Sequence, residues 1–211
     1  MSLVQEIAFK VEEGRQNDVK SLVESCIAGG IPVADILNDG LIAGMNSIGI
    51  RFRMNEVFVP EVLVAARAMK AGLEIIRPVL LREKVQSRGT IVMGTVLGDL
   101  HDIGKNIVCY MLEGAGYDVV DIGIDAPGEK FIQAAKESGA QIIGLSSLLS
   151  TTMPYMKNVM DSVRESDIAG SVKVMVGGAP VTQSFADEIG AHGYAPDAAS
   201  AVDVVRALLG Q

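Results

Sequence analysis

The hydrophobic residues in the first part of the chain recur every three or four positions, the spacing typical of amphipathic helices. Glycines end the first two such stretches, at Gly14 and at Gly29-Gly30, and Pro32 stands where a third helix can begin. A fourth stretch starts near Pro60 and carries Leu63, Ala66, Met69, Leu73, Ile76 and Leu80. Four such helices with short connections predict an N-terminal four-helix bundle.

The segment between the third and fourth helices is unusually apolar for a connection. It runs from Phe52 to Val59 and contains Phe58. Apolar residues near helix ends usually belong to a core, so the segment taken alone is interpreted as a plug in which Phe52, Phe58 and Val59 close the end of the bundle.

The hydrophobic pattern changes at the polar stretch Leu81–Ser87, where we place a domain boundary that separates residues 1–88 from residues 89–211. Short apolar runs then alternate with helical stretches, which is typical of α/β proteins. The predicted strands are Thr90–Val96, Asp118–Gly123, Gln141–Ser147, Lys173–Val176 and Gly193–Ala195, the last followed by a helix over Ala198–Leu209. They predict a doubly wound, five-stranded parallel sheet in the flavodoxin-like order 2-1-3-4-5.

The first predicted strand leads into Gly98-Asp99-Leu100-His101-Asp102-Ile103-Gly104, and a helix starts at Ile103. Such a loop lies beyond the carboxyl end of a strand, where open α/β sheets bind ligands. An isolated Asp-x-His-x-x-Gly is most often an ordinary surface loop. Here, however, strands one and three flank the switch point of the predicted sheet. The loop would therefore face the short polar side chains of Ser146, Ser150, Thr151 and Thr152 and the backbone of Gly177 and Gly178.

The residues of these loops could supply a ligand to a metal whose other ligands come from a cofactor. Neutral imidazole is a good transition-metal ligand, and Asp99 could accept a hydrogen bond from the other ring nitrogen of His101. The sequence offers no Cys and no second His near this loop to build a metal cage from protein alone. The serine hydroxyls could line a slot, and Gly177-Gly178 would let a ligand approach the backbone.

Composition narrows the class of protein. The chain has 211 residues, is 49% hydrophobic and carries a net charge of −8, which argues against nucleic acid as the main partner. No apolar run is long enough to span a membrane, and no targeting segment is visible. Cys26 and Cys109 lie far apart within apolar helical patterns, so we expect reduced thiols. The sequence predicts a soluble cytoplasmic protein.

Three ordered motifs resemble the base-off, histidine-on corrinoid-binding signature of B12 proteins: Asp99-Leu-His101-Asp-Ile-Gly104, Ser146-Ser-Leu148 and Gly177-Gly178. Gly98–Asn106 is similar to the cobalamin-binding core of cobalamin-dependent methionine synthase, and Phe58–Val62 with Ala65–Met69 resembles the helical cap of that family. A chain with a cap and a corrinoid domain alone is similar to the corrinoid proteins of methylamine, methanol and related methyltransferase systems.

The resemblance implies roles for individual residues. His101 would be the lower axial ligand of cobalt, Asp99 would hydrogen-bond it, and Thr152 stands where the family has a serine in this relay. Val59 likewise replaces a larger leucine of the methionine synthase cap, where it and Phe52 would cover the upper face of the corrinoid. The displaced benzimidazole tail would enter the slot. The implied cofactor-binding residues are Gly98, Asp99, His101, Asp102, Ile103, Gly104, Ser146, Leu148, Ser150, Thr152, Gly177, Gly178, Ala198, Phe52 and Val59.

The function implied by the resemblance is that of a corrinoid-dependent methyl carrier in one-carbon metabolism, rather than a self-sufficient enzyme. Its expected partners are a substrate-specific methyltransferase, an acceptor methyltransferase of the tetrahydrofolate or coenzyme M type, and a reductive activator. Two alternatives stay open. A B12-dependent sensor would usually bring a DNA-binding or signalling domain, and no basic recognition helix is visible. The small subunit of a carbon-skeleton mutase would leave the N-terminal bundle unexplained.

Overall fold

The structure of the protein, a computed structural model, describes residues 2–83 and 87–211. The chain divides into two units: Met1–Ser87 with Glu113–Gly116, and Arg88–Leu112 with Tyr117–Gln211. The polar stretch at which the sequence predicts a domain boundary includes residues 84–86, which lie outside the described residues.

The first two helices begin and end near the residues that the sequence pattern indicates. Leu3–Glu12 starts with a capping box, because the hydroxyl of Ser2 accepts the N–H of Gln5 at 3.2 Å and the side chain of Gln5 accepts the N–H of Ser2 at 3.0 Å. Gln16–Ala28 follows and ends at Gly29. Both helices bury one stripe of side chains, which consists of Ile7, Val11, Val19, Val23 and Cys26.

The third predicted helix is present but is not α-helical throughout. A single α-turn at Val33–Asp35 continues as a π-helical segment over Ile36–Ile42 and then as an α-helix over Ala43–Arg53. The change of helix type alters which residues share a face, and Gly40, Leu41 and Ile42 are consecutively buried. A regular 3.6-residue period could not predict three consecutive buried positions.

The interpretation of Phe52, Phe58 and Val59 as a plug is wrong for Phe58. Phe58 is 62% exposed, whereas its neighbour Val57 is 5% exposed and belongs to the core. Phe52 lies within the preceding helix, and Val59 is the first residue of the fourth helix, Val59–Glu83. Near the start of a helix, one side chain can point into the core while its neighbour points towards solvent. The apolar composition of this segment therefore did not decide which residue is buried.

The second unit contains the five parallel strands expected from the sequence, and their order β2-β1-β3-β4-β5 confirms the predicted sheet. Helices connect successive strands in the manner of a doubly wound fold. The strands are β1 Thr90–Thr95, β2 Asp118–Asp121, β3 Ile142–Ser146, β4 Lys173–Gly177 and β5 Gly193–Ala195. The helices are Ile103–Gly114, Gly128–Ser138, Pro154–Glu165, Gln183–Ile189 and Ala198–Leu209.

One helix of this unit was absent from the sequence prediction. Gln183–Ile189 connects β4 to β5 and is capped by Thr182, whose hydroxyl accepts the N–H of Phe185 at 3.2 Å. Its seven residues span only two turns, too short for a clear hydrophobic period, although the threonine cap and Gly190 were readable signals. The core against which such helices pack includes Val92, Phe131, Ile143, Met156, Val174 and Ile189.

Candidate functional site

The register of the sheet brings the ends of four strands to one level. Thr95 of β1 pairs with Ser146 of β3, Ser146 pairs with Gly177 of β4, and Gly177 pairs with Ala195 of β5. The loops that follow these residues therefore start from the same edge. This edge, at the switch point between β1 and β3, carries the sequence-predicted residues from Gly98 to Gly178.

His101 projects from the loop after β1, and half of its side-chain surface is exposed. Its ring Nδ1 lies 2.7 Å from Oδ1 of Asp99, and its backbone N–H donates to the same oxygen at 3.1 Å. An ionised carboxylate can only accept, so Nδ1 carries a proton, and in the neutral ring the lone pair therefore lies on Nε2. The second histidine has the opposite arrangement, because Nδ1 of His192 accepts the N–H of Val174 at 2.9 Å.

The carboxylate of Asp99 is fully buried and connects the β1 loop with the β3 loop. Its Oδ2 accepts the N–H of Leu148 at 2.7 Å and the hydroxyl of Thr152 at 2.8 Å. Burial alone would raise the pKa of the Asp99 carboxyl. The hydrogen bonds from Leu148, His101 and Thr152 outweigh burial and hold this pKa well below its usual range. Asp99 is therefore an anion at neutral pH, able to orient the ring of His101.

A second hydroxyl, which the sequence analysis passed over, lies behind Thr152. Ser147 is fully buried, and its Oγ lies 2.7 Å from Oγ1 of Thr152. The same Oγ is 3.1 Å from the carbonyl oxygen of Leu149 and 3.4 Å from Oδ2 of Asp99. Ser147 comes directly after β3 beside the predicted Ser146, and a polar residue inside a run of buried positions was the available signal.

Two further residues that the sequence did not single out hold the His101 loop in place. The hydroxyl of Thr95, a fully buried residue, donates to the carbonyl of His101 at 2.9 Å. Asp125, in the loop after β2, accepts the N–H of Gly98 at 2.7 Å, and its own N–H donates to the carbonyl of Asp99 at 3.1 Å. The loop is thus tied to its own strand and to the neighbouring loop.

The helix behind the loop carries a buried cation. Lys105 is 2% exposed, and its Nζ donates to Oδ2 of Asp121 at 2.5 Å and to Oδ1 of Asn106 at 2.7 Å. Asn106 in turn donates to Oδ2 of Asp102 at 3.2 Å. A cation in the first turn of a helix opposes the helix dipole, so Asp121 at the end of β2 compensates Lys105 and ties β2 to this helix.

The structure explains why glycine is required at Gly177 and Gly178, and the sequence did not predict this explanation. A Cβ on Gly178 would lie 1.9 Å from the carbonyl oxygen of Ser147, and one on Gly177 would lie 2.9 Å from that of Ala195. The φ angle of Gly178 is also +131°, a conformation that other residues rarely adopt. The neighbouring backbones thus require both glycines already. Room for a ligand beside them stays a prediction, as do the roles of half-buried Ser146 and exposed Ser150.

The surface around His101 is apolar, which is unusual for exposed loops. The large hydrophobic side chains exposed among the described residues of the second unit all follow the carboxyl ends of β1, β2 and β3. They are Leu97, Leu100, Ile103, Ile124, Leu148, Leu149 and Tyr155. A surface of this kind marks a binding site.

Gly104 is the second residue of the helix after the loop, and a Cβ added there would meet no atom within 4 Å. No contact within the described protein therefore explains this glycine. The exposed apolar side chains, the ring of His101 and the open space at Gly104 make this edge of the sheet the candidate ligand-binding site.

The remaining candidate residues are Ala198, Phe52 and Val59. Ala198 begins the last helix and is 8% exposed, while Phe52 and Val59 lie in the other unit and are half-buried. Across residues 2–83 and 87–211, no group of three or more His, Cys, Asp or Glu side chains could hold a metal ion. The described residues thus offer no metal site built from protein side chains alone.

Comparison with known proteins agrees with this geometry. A family model described as a B12 binding domain matches residues 89–203, more than half of the chain, and a second model of the same description matches residues 3–77. The chain is 44% identical over 208 residues to dimethylamine corrinoid protein 1 of Methanosarcina acetivorans, covering 98% of this chain and 97% of that protein. It is 45% identical over 185 residues to trimethylamine corrinoid protein 1 of Methanosarcina mazei, with 87% and 86% covered.

A solved structure extends the comparison to the fold. A chain of the methanol:cobalamin methyltransferase complex of Methanosarcina barkeri superposes with a TM-score of 0.86 at 31% identity, covering 99% of this chain and 80% of that one. The two family models and the similar fold thus identify a protein with B12-binding domains. The chain belongs to the family of corrinoid proteins with B12-binding domains. None of its described helices is long and apolar enough to cross a membrane.

Proposed function

We propose that this protein is a corrinoid-dependent methyl carrier, which receives a methyl group from one methyltransferase and passes it to another. Support comes from relatives named as dimethylamine and trimethylamine corrinoid proteins and from the similar chain of a methanol:cobalamin methyltransferase complex. A methylated amine or methanol is accordingly the class of methyl donor. The names of these relatives give no support to the alternative of a B12-dependent sensor.

The observation that carries the proposal is the 2.7 Å contact between Nδ1 of His101 and the buried carboxylate of Asp99. Because Nδ1–H of His101 donates to Asp99, Nε2 would be available to hold the cobalt of a bound corrinoid. A bound corrinoid would supply the cobalt centre that accepts and releases the methyl group. Asp99, Thr152 and the backbone N–H of Leu148 hold the imidazole in the tautomer that this ligation requires.

We propose the base-off, histidine-on mode of corrinoid binding for the same site. Exposed residues of the His101 loop and the β3 loop would contact the corrin, and Thr152 would act through Asp99. The displaced tail would lie along the carboxyl ends of β3 and β4. The loop residues proposed to contact or support the cofactor are Gly98, Asp99, His101, Asp102, Ile103, Gly104, Leu148 and Thr152. Those proposed to line the tail slot are Ser146, Ser150, Gly177, Gly178 and Ala198.

The helical residues 1–88 would act as a cap domain, in which Phe52 and Val59 would shield the bound corrinoid. Shielding excludes water from the reacting centre, and the cap must move aside for each partner enzyme. The partners proposed are a substrate-specific methyltransferase, an acceptor methyltransferase of the tetrahydrofolate or coenzyme M type, and a reductive activator.

The decisive experiment compares ultraviolet–visible spectra of the corrinoid-loaded wild type, His101→Ala and His192→Ala. Wild type and His192→Ala should share one spectrum, whereas His101→Ala should shift to the spectrum of a corrinoid without a histidine ligand. Identical spectra for wild type and His101→Ala would contradict histidine ligation. Methyl transfer to the loaded protein from dimethylamine, trimethylamine or methanol, each with its own methyltransferase, then identifies the donor. No methyl transfer in any of these systems would contradict the carrier function.

A further inference from the structure

The hydroxyl of Ser147 is a fully buried polar group at the site for which the proposed function has no use so far. Its Oγ contacts three oxygen atoms: Oγ1 of Thr152 at 2.7 Å, the carbonyl oxygen of Leu149 at 3.1 Å and Oδ2 of Asp99 at 3.4 Å. Two hydroxyl protons, those of Ser147 and Thr152, are thus available to these acceptors. Where each proton goes determines how strongly Asp99 is stabilised.

Counting acceptors favours one direction. The carbonyl oxygen of Leu149 already accepts the backbone N–H groups of Thr152 at 3.0 Å and Met153 at 3.2 Å, and a carbonyl has two lone pairs. Oγ1 of Thr152 lies 2.9 Å from this carbonyl oxygen and 2.8 Å from Oδ2 of Asp99. Oδ2 also accepts two backbone N–H groups, from Leu148 at 2.7 Å and Leu149 at 3.3 Å, but it belongs to a buried anion and is therefore the stronger acceptor. Thr152 accordingly donates to Asp99, and the proton of Ser147 is left for the oxygen of Thr152.

The opposite arrangement, in which Thr152 donates to Ser147, gives weaker hydrogen bonds. If Thr152 donated to Ser147, Asp99 would lose its 2.8 Å hydroxyl bond, and Ser147 would have to replace it across 3.4 Å. Such a distance lies beyond the usual range of hydroxyl hydrogen bonds. The geometry thus gives an ordered chain in which Ser147 donates to Thr152, Thr152 donates to Asp99, and Asp99 accepts from the ring of His101.

We propose that Ser147 is a positioning residue that sets the direction and strength of the Thr152–Asp99 hydrogen bond and, through it, the charge that Asp99 presents to His101. The proposal rests on the proposed function for its consequence, since His101 is the proposed cobalt ligand. When Ser147 donates to the oxygen of Thr152, it polarises the O–H bond of Thr152, because hydrogen bonds in a chain strengthen one another. Ser147 therefore weakens the hydrogen bond that Asp99 accepts from Nδ1–H of His101, although Ser147 contacts neither ring nitrogen.

The ring proton of His101 offers a direct test in the protein without corrinoid. In proton–nitrogen NMR spectra of 15N-labelled protein, the Nδ1–H signal of His101 should move downfield in Ser147→Ala, because a less stabilised carboxylate accepts more strongly. Ser147→Cys, which keeps the volume but is a weak donor, should move it in the same direction and guards against a cavity effect. Nδ1 of His192 accepts the N–H of Val174, so the neutral ring of His192 contributes only an Nε2–H signal. The ring signal that disappears in His101→Ala is therefore the one to follow.

The chain order predicts how two substitutions combine. Thr152→Val should shift the signal further than Ser147→Ala, and Ser147→Ala added to Thr152→Val should cause no further shift. Ser166→Ala removes a hydroxyl that donates to the carbonyl of Val163 at 2.7 Å, outside the site, and serves as the matched control with an unchanged signal. An equal shift from Ser147→Ala in both backgrounds, or no shift in either, would overturn the proposal.

The corrinoid-loaded proteins give a second readout. Ser147→Ala should retain the corrinoid and alter the axial-ligand region of the spectrum in the direction opposite to His101→Ala, and this change should be lost in the Thr152→Val background. Because the NMR test needs no corrinoid, a failure of the Ser147 proposal appears there first. A failure of the proposed function appears instead as a wild-type spectrum that His101→Ala leaves unchanged.

Discussion

The carboxylate of Asp125 accepts the backbone N–H of Gly98 at 2.7 Å while its own N–H donates to the carbonyl of Asp99 at 3.1 Å. This reciprocal pair joins the loop after β2 to the loop that carries His101. Asp125 maintains it from a φ angle of +51°, a conformation that non-glycine residues adopt at some cost. Retention of such a conformation indicates that the carboxylate is needed where it lies.

Two substitutions separate the carboxylate of Asp125 from its backbone conformation. Asp125→Gly relieves the positive φ but removes the acceptor for Gly98, whereas Asp125→Ala removes the acceptor and keeps the strain. Both should lower corrinoid affinity, and Asp125→Ala should also lower the free energy of unfolding, by about 1 kcal/mol. Equilibrium dialysis with corrinoid and urea unfolding measure the two effects. Wild-type affinity in Asp125→Gly would show that the pair does not position the loop.

Gly104 and Gly178 should respond in opposite ways to the same change. Gly104→Ala places a methyl group in open space within a helix, so the free energy of unfolding without corrinoid should stay constant or rise by up to about 1 kcal/mol. Its corrinoid affinity should fall, because the methyl group occupies the space proposed for the ligand. Gly178→Ala should lower the free energy of unfolding by on the order of 3 kcal/mol, since its Cβ would overlap the carbonyl oxygen of Ser147.

Urea unfolding without corrinoid and binding titrations distinguish the two glycines. Undiminished corrinoid affinity in Gly104→Ala would contradict the placement of the ligand against this helix.

Loss of the partner of the buried cation Lys105 should destabilise the folded protein more than loss of the cation itself. Asp121→Asn leaves Lys105 with a neutral partner in a buried position, and we expect a loss of about 2 kcal/mol in the free energy of unfolding, reduced from the usual cost because Asp121 is itself 40% exposed. Lys105→Met replaces the cation with an apolar side chain of similar length and should cost less. Urea unfolding of both variants and of the double variant gives the comparison. A larger loss for Lys105→Met would contradict this account.

The depressed pKa of Asp99 predicts a pH-dependent contribution to stability. A carboxyl whose pKa is lower in the folded state than its ordinary value of 3.8 binds protons more readily when unfolded. Its contribution is therefore complete at pH values well above 3.8 and is lost as the pH falls through and below that value towards the pKa of the folded state. Asp99→Asn cannot titrate and should lose this component.

The measurement is urea unfolding of wild type and Asp99→Asn at several pH values between neutrality and the acid limit of folding. The difference in free energy of unfolding between the two proteins should be largest at neutral pH and shrink on acidification. Asp161 and Asp167, whose pKa values are also lowered by Lys157 and Lys136, titrate equally in both proteins and cancel. A difference independent of pH would contradict the proposed hydrogen bonding of Asp99.

Much of the sheet could be predicted from sequence because it is encoded locally. Strands buried on both faces appear as continuous apolar runs, and a loop of glycine and aspartate between such a run and a helix marks one βαβ unit. The spacing of Asp99 and His101 likewise allows their contact within a single turn. The third helix and the plug residue were less predictable, because the π-helical segment Ile36–Ile42 and the burial of Val57 depend on how neighbouring helices pack.

By itself, then, the sequence determined the strands, most of the helices and the loop on which His101 lies, since each follows from periodicity over a few residues. The strand order followed from these elements and the connection rules of doubly wound sheets, whereas the short helix Gln183–Ile189 was missed. Only the tertiary structure decided that Thr152 reaches Asp99 across 53 positions, that Asp125 holds Gly98 across 27 and that Ser147 stands behind Thr152. These contacts join loops from different strands, and their distances are set by the register and packing of the sheet. No local pattern carries that information, because hydrogen-bond geometry varies over tenths of an ångström whereas sequence periodicity specifies only which face a residue occupies.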